Sequence, residues 1–426
     1  MFFFFKFCPL IDSIIFTMRY LAFFFLSVFS QVVVAQTTVG LVAYYQFEGN
    51  AGDATGNSSN TGTIIGAPDY PCGVQGAALR LDGADDRVTF LGTGNVNGEF
   101  DSEDISISFY INPVGDAGTQ HILSKRSDDC DDKGYFYIRY APGGRTINVY
   151  FGETAIKNVS LVHQFTNTAC WQHVTVVREG LRVKLYANGR FIQSLTTTSR
   201  INILNTGMLT VGGGNCLTGT DIPYQGLIDE LRIYNRALKE SEIRELYFSP
   251  DMIVNRDTTI YLGSSIDIEL TNNCATSFSW SPAGDVAAPT NGETRITPSA
   301  AGEFTYTLEM NDNIASCIAT DTFRLRVVDP DDLDCRTVFF PKAFTPNNDG
   351  LNDTYGISNP FAIQQLVAFE IFDRWGGRVF YTEDPFLQWD GFVNGQAVNS
   401  GVFLYRVRWL CNNIERLDAG SLTVLR

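Results

Sequence analysis

Leu227-Ile-Asp-Glu-Leu-Arg-Ile-Tyr234 reads at a period of two, the signature of a β-strand. At that period Leu227, Asp229, Leu231 and Ile233 share one face. A carboxylate on an apolar face is costly unless it is paired, hydrogen-bonded or metal-bound, so Asp229 is singled out at once. The same alternation recurs in Leu41 to Glu48, Ile105 to Ile111, Val174 to Val177 and Leu181 to Tyr186. Between Leu181 and Ile192 the pair Asn188-Gly189 supplies the positive φ angles of a type I′ turn, so this stretch is a hairpin. One short helix is expected near Glu240 to Tyr247, where Ile243, Leu246 and Tyr247 fall on one face. No internal repeat or low-complexity linker interrupts the pattern. The expectation is an all-β chain of short strands stacked in sandwiches.

Composition sets the bounds. A chain of 426 residues holds two to four domains, and 44% apolar content supplies ample core. Asp and Glu outnumber Lys and Arg by 47 to 31, for a net charge of −16. No basic stripe is present, so no nucleic-acid partner is expected. The three histidines show no spacing for a His-rich metal site.

Met18-Arg19, the apolar run from Tyr20 to Val34, and Val33-Val-Ala35 before Gln36 form a secretory leader with a small-residue cleavage site. Met18 is the expected start, and the apolar run is shorter than a membrane span requires. Loss of Lys6, Asp12 and Arg19 with residues 1–35 leaves the mature chain one unit more negative.

Of nine cysteines, Cys8 leaves with the leader. The rest divide by region into Cys72, Cys130, Cys170 and Cys216, then Cys274 and Cys317, then Cys335 and Cys411. An even number in an exported chain reads as disulfides, and the absence of C-x-x-C argues against zinc or redox chemistry. The expected bonds are Cys274–Cys317 and Cys335–Cys411. The first four allow three pairings.

Three stretches carry family resemblances. Phe344-Thr-Pro-Asn-Asn-Asp-Gly-Leu-Asn-Asp-Thr-Tyr355, Phe369-Glu-Ile-Phe-Asp-Arg-Trp-Gly-Gly-Arg-Val-Phe380, Trp389-Asp-Gly391, Ser400-Gly-Val-Phe-Leu-Tyr-Arg406 and Gly420-Ser-Leu-Thr-Val-Leu-Arg426 occur in order. Together, over 336–426, they resemble the gliding-motility-associated C-terminal domain, the type B sorting domain of type IX secretion in Bacteroidetes. The resemblance implies a sorting motif of Asp349, Gly350, Asn352, Asp353, Arg374, Trp375, Gly376, Trp389, Asp390, Gly391, Gly401 and Gly420. Gly40-Leu-Val-Ala-Tyr-Tyr-Gln-Phe-Glu48, Asp53-Ala-Thr-Gly-Asn57, Gly76-Ala-Ala-Leu-Arg-Leu-Asp-Gly83, Trp171-Gln-His-Val174 and Gly226 to Leu238 make 36–248 resemble the LamG-like, concanavalin A-like jelly roll. Cys274, Trp280-Ser-Pro282, Thr297-Pro298, Tyr306 and Cys317 make 251–330 similar to an Ig-like module of the polycystic-kidney-disease (PKD) type. There a tryptophan beside an inter-sheet disulfide would form the core. Asp329 to Asp334 then reads as a polar linker.

The candidate sites follow. The LamG-like resemblance implies a structural Ca²⁺ near the first and last strands, with Glu48, Asp53 and Asp229 as oxygen ligands. The competing reading is a hydrogen-bonded or arginine-paired Asp229. Asp128-Asp-Cys-Asp-Asp132 is either a solvated loop or the rim of a cation or ligand site clamped at Cys130. Glu99-Phe-Asp-Ser-Glu103 would align three carboxylates on a strand, as in some jelly-roll glycoside hydrolases. Its Gly- and Asn-rich approach reads instead as a solvated strand entry. His173, beside Trp171, reads as a hydrogen-bonded structural histidine.

The resulting expectation is a secreted or cell-surface, non-enzymatic binding protein, carbohydrate-binding or adhesive, exported by type IX secretion. Its partners would be a glycan or surface protein and the secretion machinery, with no transmembrane anchor after leader cleavage. The alternatives are a polysaccharide-degrading glycoside hydrolase and a purely structural surface or gliding adhesin.

Overall fold

The computed structural model describes residues 37–425 except 92–95, 102–103, 132–133, 167–168, 315–316, 337, 348–350 and 364. The expected leader, Glu103, Asp132, Asp349 and Gly350 lie outside the described residues. The chain forms two compact units. The first holds the described residues up to Pro250 together with Asn272–Cys274 and Asp312–Ile318.

The first unit is a jelly roll of two sheets. One sheet runs Leu41–Tyr45, Gln225–Tyr234, Ile105–Pro113, Gln172–Glu179, Arg182–Ala187, Arg190–Thr196, all antiparallel. Leu79–Asp82 pairs the first half of Gln225–Tyr234 at the edge that Leu41–Tyr45 takes further along. The other sheet runs Thr63–Ile65, Arg87–Phe90, Leu209–Val211, Thr119–Lys125, Tyr135–Ala141, Thr146–Gly152, Asn158–Gln164. Alternate residues of both sheets meet in one core, among them Tyr45, Phe90, Phe109, Ile122, Phe136, Phe151, Val174 and Ile233. Asn188 and Gly189 have φ of 49° and 71°, so the hairpin turn forms as its dipeptide requires.

The helix Glu240–Glu245 starts where the Glu242 side chain accepts from the Lys239 backbone N–H. It buries Ile243 and Leu246 with Val177, Tyr186 and Tyr234, on the outer face of the first sheet. Tyr247 continues this cover, stacking over Tyr110 and His173.

Within Gln225–Tyr234 the structure corrects the face assigned to Asp229. Glu230 takes φ of 55°, and the pairing with Ile105–Pro113 slips between Asp229 and Arg232. Ahead of this bulge Ile228 faces the core, and beyond it Leu231 and Ile233 do. One extra residue inverts the alternation. Asp229 therefore shares the outer face with Leu227 and Arg232, not with Leu231 and Ile233.

The disulfides are Cys72–Cys274, Cys130–Cys216, Cys170–Cys317 and Cys335–Cys411. The expected Cys274–Cys317 bond is not made. Both cysteines sit in segments that belong to the first unit, where each meets a jelly-roll cysteine. Trp280 is buried without a neighbouring inter-sheet disulfide, its indole N–H donating to the Asn291 carbonyl.

The second unit comprises Asp251–Thr271, Ala275–Asn311 and Ala319–Arg426. It contains a sheet of Thr258–Tyr261, the strand Cys317–Val328 from Ala319 onward, the strand Gly302–Asp312 up to Asn311, and Ser277–Ser281, together with the pair Ile266–Ile268 and Thr294–Ile296. A five-stranded sheet follows, in the order Ala343–Phe344, Ile414–Val424, Gly401–Cys411, Gln365–Phe372, Arg378–Thr382. Its core gathers Phe344, Tyr355, Phe369, Trp389, Val407 and Trp409.

Candidate functional site

The three carboxylates expected to share an ion are each held by the protein itself. Asp53 accepts from the backbone N–H groups of Tyr44 and Thr55, the Thr55 hydroxyl and the Asn60 amide, at 2.8–2.9 Å. Glu48 accepts from Ala77 N at 3.0 Å, and Asp229 from Gln75 N at 3.2 Å and Glu230 N at 2.7 Å. Glu48 and Asp229 thus clasp the turn at 73–77. That turn needs glycine, because a Cβ at Gly76 would lie 2.0 Å from a Glu48 oxygen and one at Gly73 2.5 Å from an Asp229 oxygen. Burial, then the adjacent Glu230 carboxylate, pushes the Asp229 pKa up to about 8 against the opposing backbone bonds. Each carboxylate is committed to donors of the protein, and among the described residues these three do not converge as a cation cluster, so this set does not fit a shared ion.

The raised pKa carries a testable consequence. The folded state holds the Asp229 proton more tightly than the unfolded chain. Its contribution to stability is therefore full below about pH 4 and is lost as pH rises towards 8. Asp229→Asn should flatten the fall in unfolding free energy between about pH 5 and 8 by an amount on the order of a few kcal/mol. Denaturant titrations across that range measure the slope. An unchanged slope would show that Asp229 is ionised in the folded protein.

Among the described residues, the acidic side chains that do converge are Asp82, Asp85 and Asp86, with one ligand oxygen each within 4.8 Å of the others. They line an open groove of about 840 Å³ with Gly66, Val114 and Gln225. Asp82 accepts from Ala84 N at 2.8 Å and Asp86 from Ala67 N at 2.8 Å. These bonds shape the loop and leave Asp85 to solvent on the rim.

The richest chemistry lies on the outer face of the second sheet. Core residues Phe136, Ile138, Val149 and Phe151 alternate with Tyr137, Arg139, Asn148 and Tyr150, which point outward. Tyr137 and Tyr150 face each other across the strands and stack at 4.8 Å with an 11° tilt. Tyr135 stacks on Tyr150 at 5.1 Å, and its hydroxyl meets that of Tyr150 at 3.0 Å. Arg139 lies over the Tyr137 ring at 4.1 Å and reaches Asp221 at 3.2 and 3.3 Å. His121 is only 6% exposed. Its Nε2 lies 3.2 Å from an Asp221 oxygen, but neither ring nitrogen has an aligned hydrogen-bond partner, and Arg139 Nε has none either. Burial, partly offset by Asp221, holds the His121 pKa below its usual value, so the ring is neutral.

Loops brought together by the Cys130–Cys216 bond wall this pocket of about 180 Å³. The Asn215 amide donates to Asp128, and Arg126 donates to the carbonyls of Cys130 and Asp131. Asp128 to Asp131, the described part of the 128–132 cluster, thus lie in a loop beside this pocket. His121, Tyr137, Arg139 and Asp221 were not singled out from sequence. Tyr137 and Arg139 show only as the polar half of an alternating strand, and nothing local links them to Asp221.

The remaining candidates fall elsewhere. Glu99 lies on the 3-10 helix Val96–Asp101 rather than on a strand, so the strand that would align the carboxylates of this segment does not begin there. His173 is buried, bonded to Ser108 Oγ at 2.8 Å, and burial lowers its pKa to about 3. It is a structural neutral histidine. In the C-terminal sheet Arg374, Trp375 and Gly376 form the turn after Gln365–Phe372, and Trp375 is 85% exposed. Trp389 is buried and exchanges two 2.8 Å backbone bonds with Tyr355. Asp390 accepts from Phe392 N and Asp353 from Asn347 N, while Asn352 and Gly391 take positive φ. Gly401 opens its strand opposite Val424, and Gly420 leaves room for Tyr405.

Two family matches agree with this architecture. Residues 82–244 match the concanavalin A-like lectin/glucanases superfamily, and 338–424 match the CHU_C type IX secretion signal domain. The chain carries a concanavalin A-like domain followed by a type IX secretion signal domain. No curated protein matches. Among solved structures, domain 4 of AbnA, a GH43 extracellular arabinanase from Geobacillus stearothermophilus in complex with arabinotriose, is 23% identical, covering 49% of this chain and 98% of that one, with a TM-score of 0.39. The CBM40 of the Ruminococcus gnavus IT-sialidase, bound to α2,3-sialyllactose, is 15% identical over 40% and 96%, with a TM-score of 0.36. The binding domain of botulinum neurotoxin DC is 11% identical over 90% and 93%, with a TM-score of 0.43. Among the described residues no helix is long and apolar enough to cross a membrane.

Proposed function

We propose that this protein is exported through type IX secretion, after leader removal, and acts outside the cell as a non-enzymatic carbohydrate-binding protein. The outer face of the second sheet is its binding site. The observation that carries this reading is the stacked tyrosine platform beside His121, Arg139 and Asp221. Sugars present C–H faces to aromatic rings and hydroxyls to planar polar groups, and this face offers both within one pocket. The type IX secretion signal domain supports delivery to the surface or medium.

A glycan array with the mature full chain tests the reading. Specific binding is expected, and Tyr137→Ala should weaken it about 30-fold, the effect of truncating an aromatic anchor. A blank array from folded protein would overturn the glycan assignment and favour adhesion to a protein surface. Reducing-sugar release from any bound glycan would overturn the non-enzymatic assignment.

A further inference from the structure

We propose that this face takes an internal stretch of an electrically neutral oligosaccharide, held in two adjoining basins. The proposal rests on the glycan reading above. Three observations carry it.

The first is the set of buried atoms left unmatched. The ring nitrogens of His121 and the Nε of Arg139 are enclosed yet lack aligned partners. A buried polar atom without a partner costs free energy, so it marks a place where a ligand group completes the bonding. Neutral imidazole offers one donor and one acceptor, and Asp221 beside it accepts. A sugar hydroxyl, which both donates and accepts, matches that combination. A carboxylate or sulfate, which only accepts, would meet Asp221 head on.

The second is charge. Arg139 is already paired with Asp221. Arg126 donates to the backbone carbonyls of Cys130 and Asp131, and the more distant Arg87 lines the adjoining basin together with Asp128. The two basins together carry three arginines against two aspartates, a surplus of one charge in a chain whose net charge is −16, which is not a basic patch of the kind that selects an anionic sugar.

The third is length. A second basin of about 380 Å³ adjoins the first, and the two share Gly214 and Asn215. It is lined by Ile65, Thr89 and Thr210, outward residues of the next strands, and by Leu91, which follows Arg87–Phe90. The two basins cross five neighbouring strands, from Thr63–Ile65 to Tyr135–Ala141. At about 4.8 Å per strand that is roughly 19 Å, longer than a single sugar ring.

Calorimetric titration of the mature full chain with mono- to hexasaccharides of neutral gluco-, xylo-, manno- and arabino-series tests the proposal. Polygalacturonate and a sulfated galactan serve as anionic probes. In at least one neutral series the affinity should rise about tenfold from disaccharide to tetrasaccharide, with no loss at an ionic strength of about 0.5 M. Ile65→Ala should weaken the tetrasaccharide several-fold and leave the disaccharide unchanged. Affinity that is already complete at the mono- or disaccharide, or tighter and salt-sensitive binding of an anionic probe, would overturn this inference while keeping the glycan reading. Failure of every probe with folded protein would overturn both.

Discussion

Replacing Cys72 and Cys274 together by alanine is expected to lower the unfolding free energy of the mature chain by about 4 kcal/mol. The bond closes a separation of 202 residues. A cross-link over so long a loop restricts the unfolded chain strongly, and the model of that restriction puts the effect near ~5 kcal/mol. The Cys130–Cys216 bond lies inside this loop and shortens the path around it, which trims the gain. The loss should appear in guanidinium unfolding as a lower midpoint with a steeper dependence, because the freed unfolded chain exposes more surface. A loss below about 1 kcal/mol would mean that the unfolded chain is equally restricted without the bond. The same connectivity governs how the protein can be studied. A fragment ending at residue 248 would strand Cys72 and Cys170, since their partners Cys274 and Cys317 lie beyond it. Binding experiments therefore need the whole mature chain.

The second large effect is expected at Arg232. Its guanidinium and the Glu230 carboxylate are paired with side-chain exposures of 2% and 0%. The Tyr44 hydroxyl, within 2.8 Å of both Glu230 oxygens, closes the group, and its ring lies 4.1 Å beneath the guanidinium. Desolvating two ions is so costly that the pair adds little net stability, but removing one partner leaves the other buried and uncompensated. Arg232→Ala should therefore cost about 3–5 kcal/mol. The double variant Glu230→Gln with Arg232→Met should recover most of that loss, because it leaves no bare charge and keeps an amide for Tyr44. Thermal or denaturant unfolding of the two variants checks the claim. Equal losses in both would show that packing, rather than the uncompensated carboxylate, sets the cost.

The two cases mark where local reading stops. The strand at 227–234 was legible from its period, yet Asp229 faces the other way. A bulge depends on how two strands settle against each other, and Glu230 carries no residue-level sign of its left-handed backbone. The clustered Asp128 to Asp131 segment was visible as a possible ligand rim, whereas the tyrosine platform behind it was not. Tyr135, Tyr137 and Tyr150 come from two strands, and only their register stacks them. Asp221, which meets Arg139 and His121, arrives from a short strand that pairs in parallel with Thr119–Lys125.

Sequence alone determined the all-β class, the hairpin at Asn188-Gly189, the short amphipathic helix, and the two domain types matched at 82–244 and 338–424. Those signals are local or are ordered motifs, so they survive without knowledge of which segments touch. Tertiary structure decided that Cys274 and Cys317 reach back to Cys72 and Cys170, that Asp229 leaves the core face, and that an outward sheet surface becomes the candidate site. Each of these depends on contacts between residues far apart in the chain, for which neither period nor composition carries a signal.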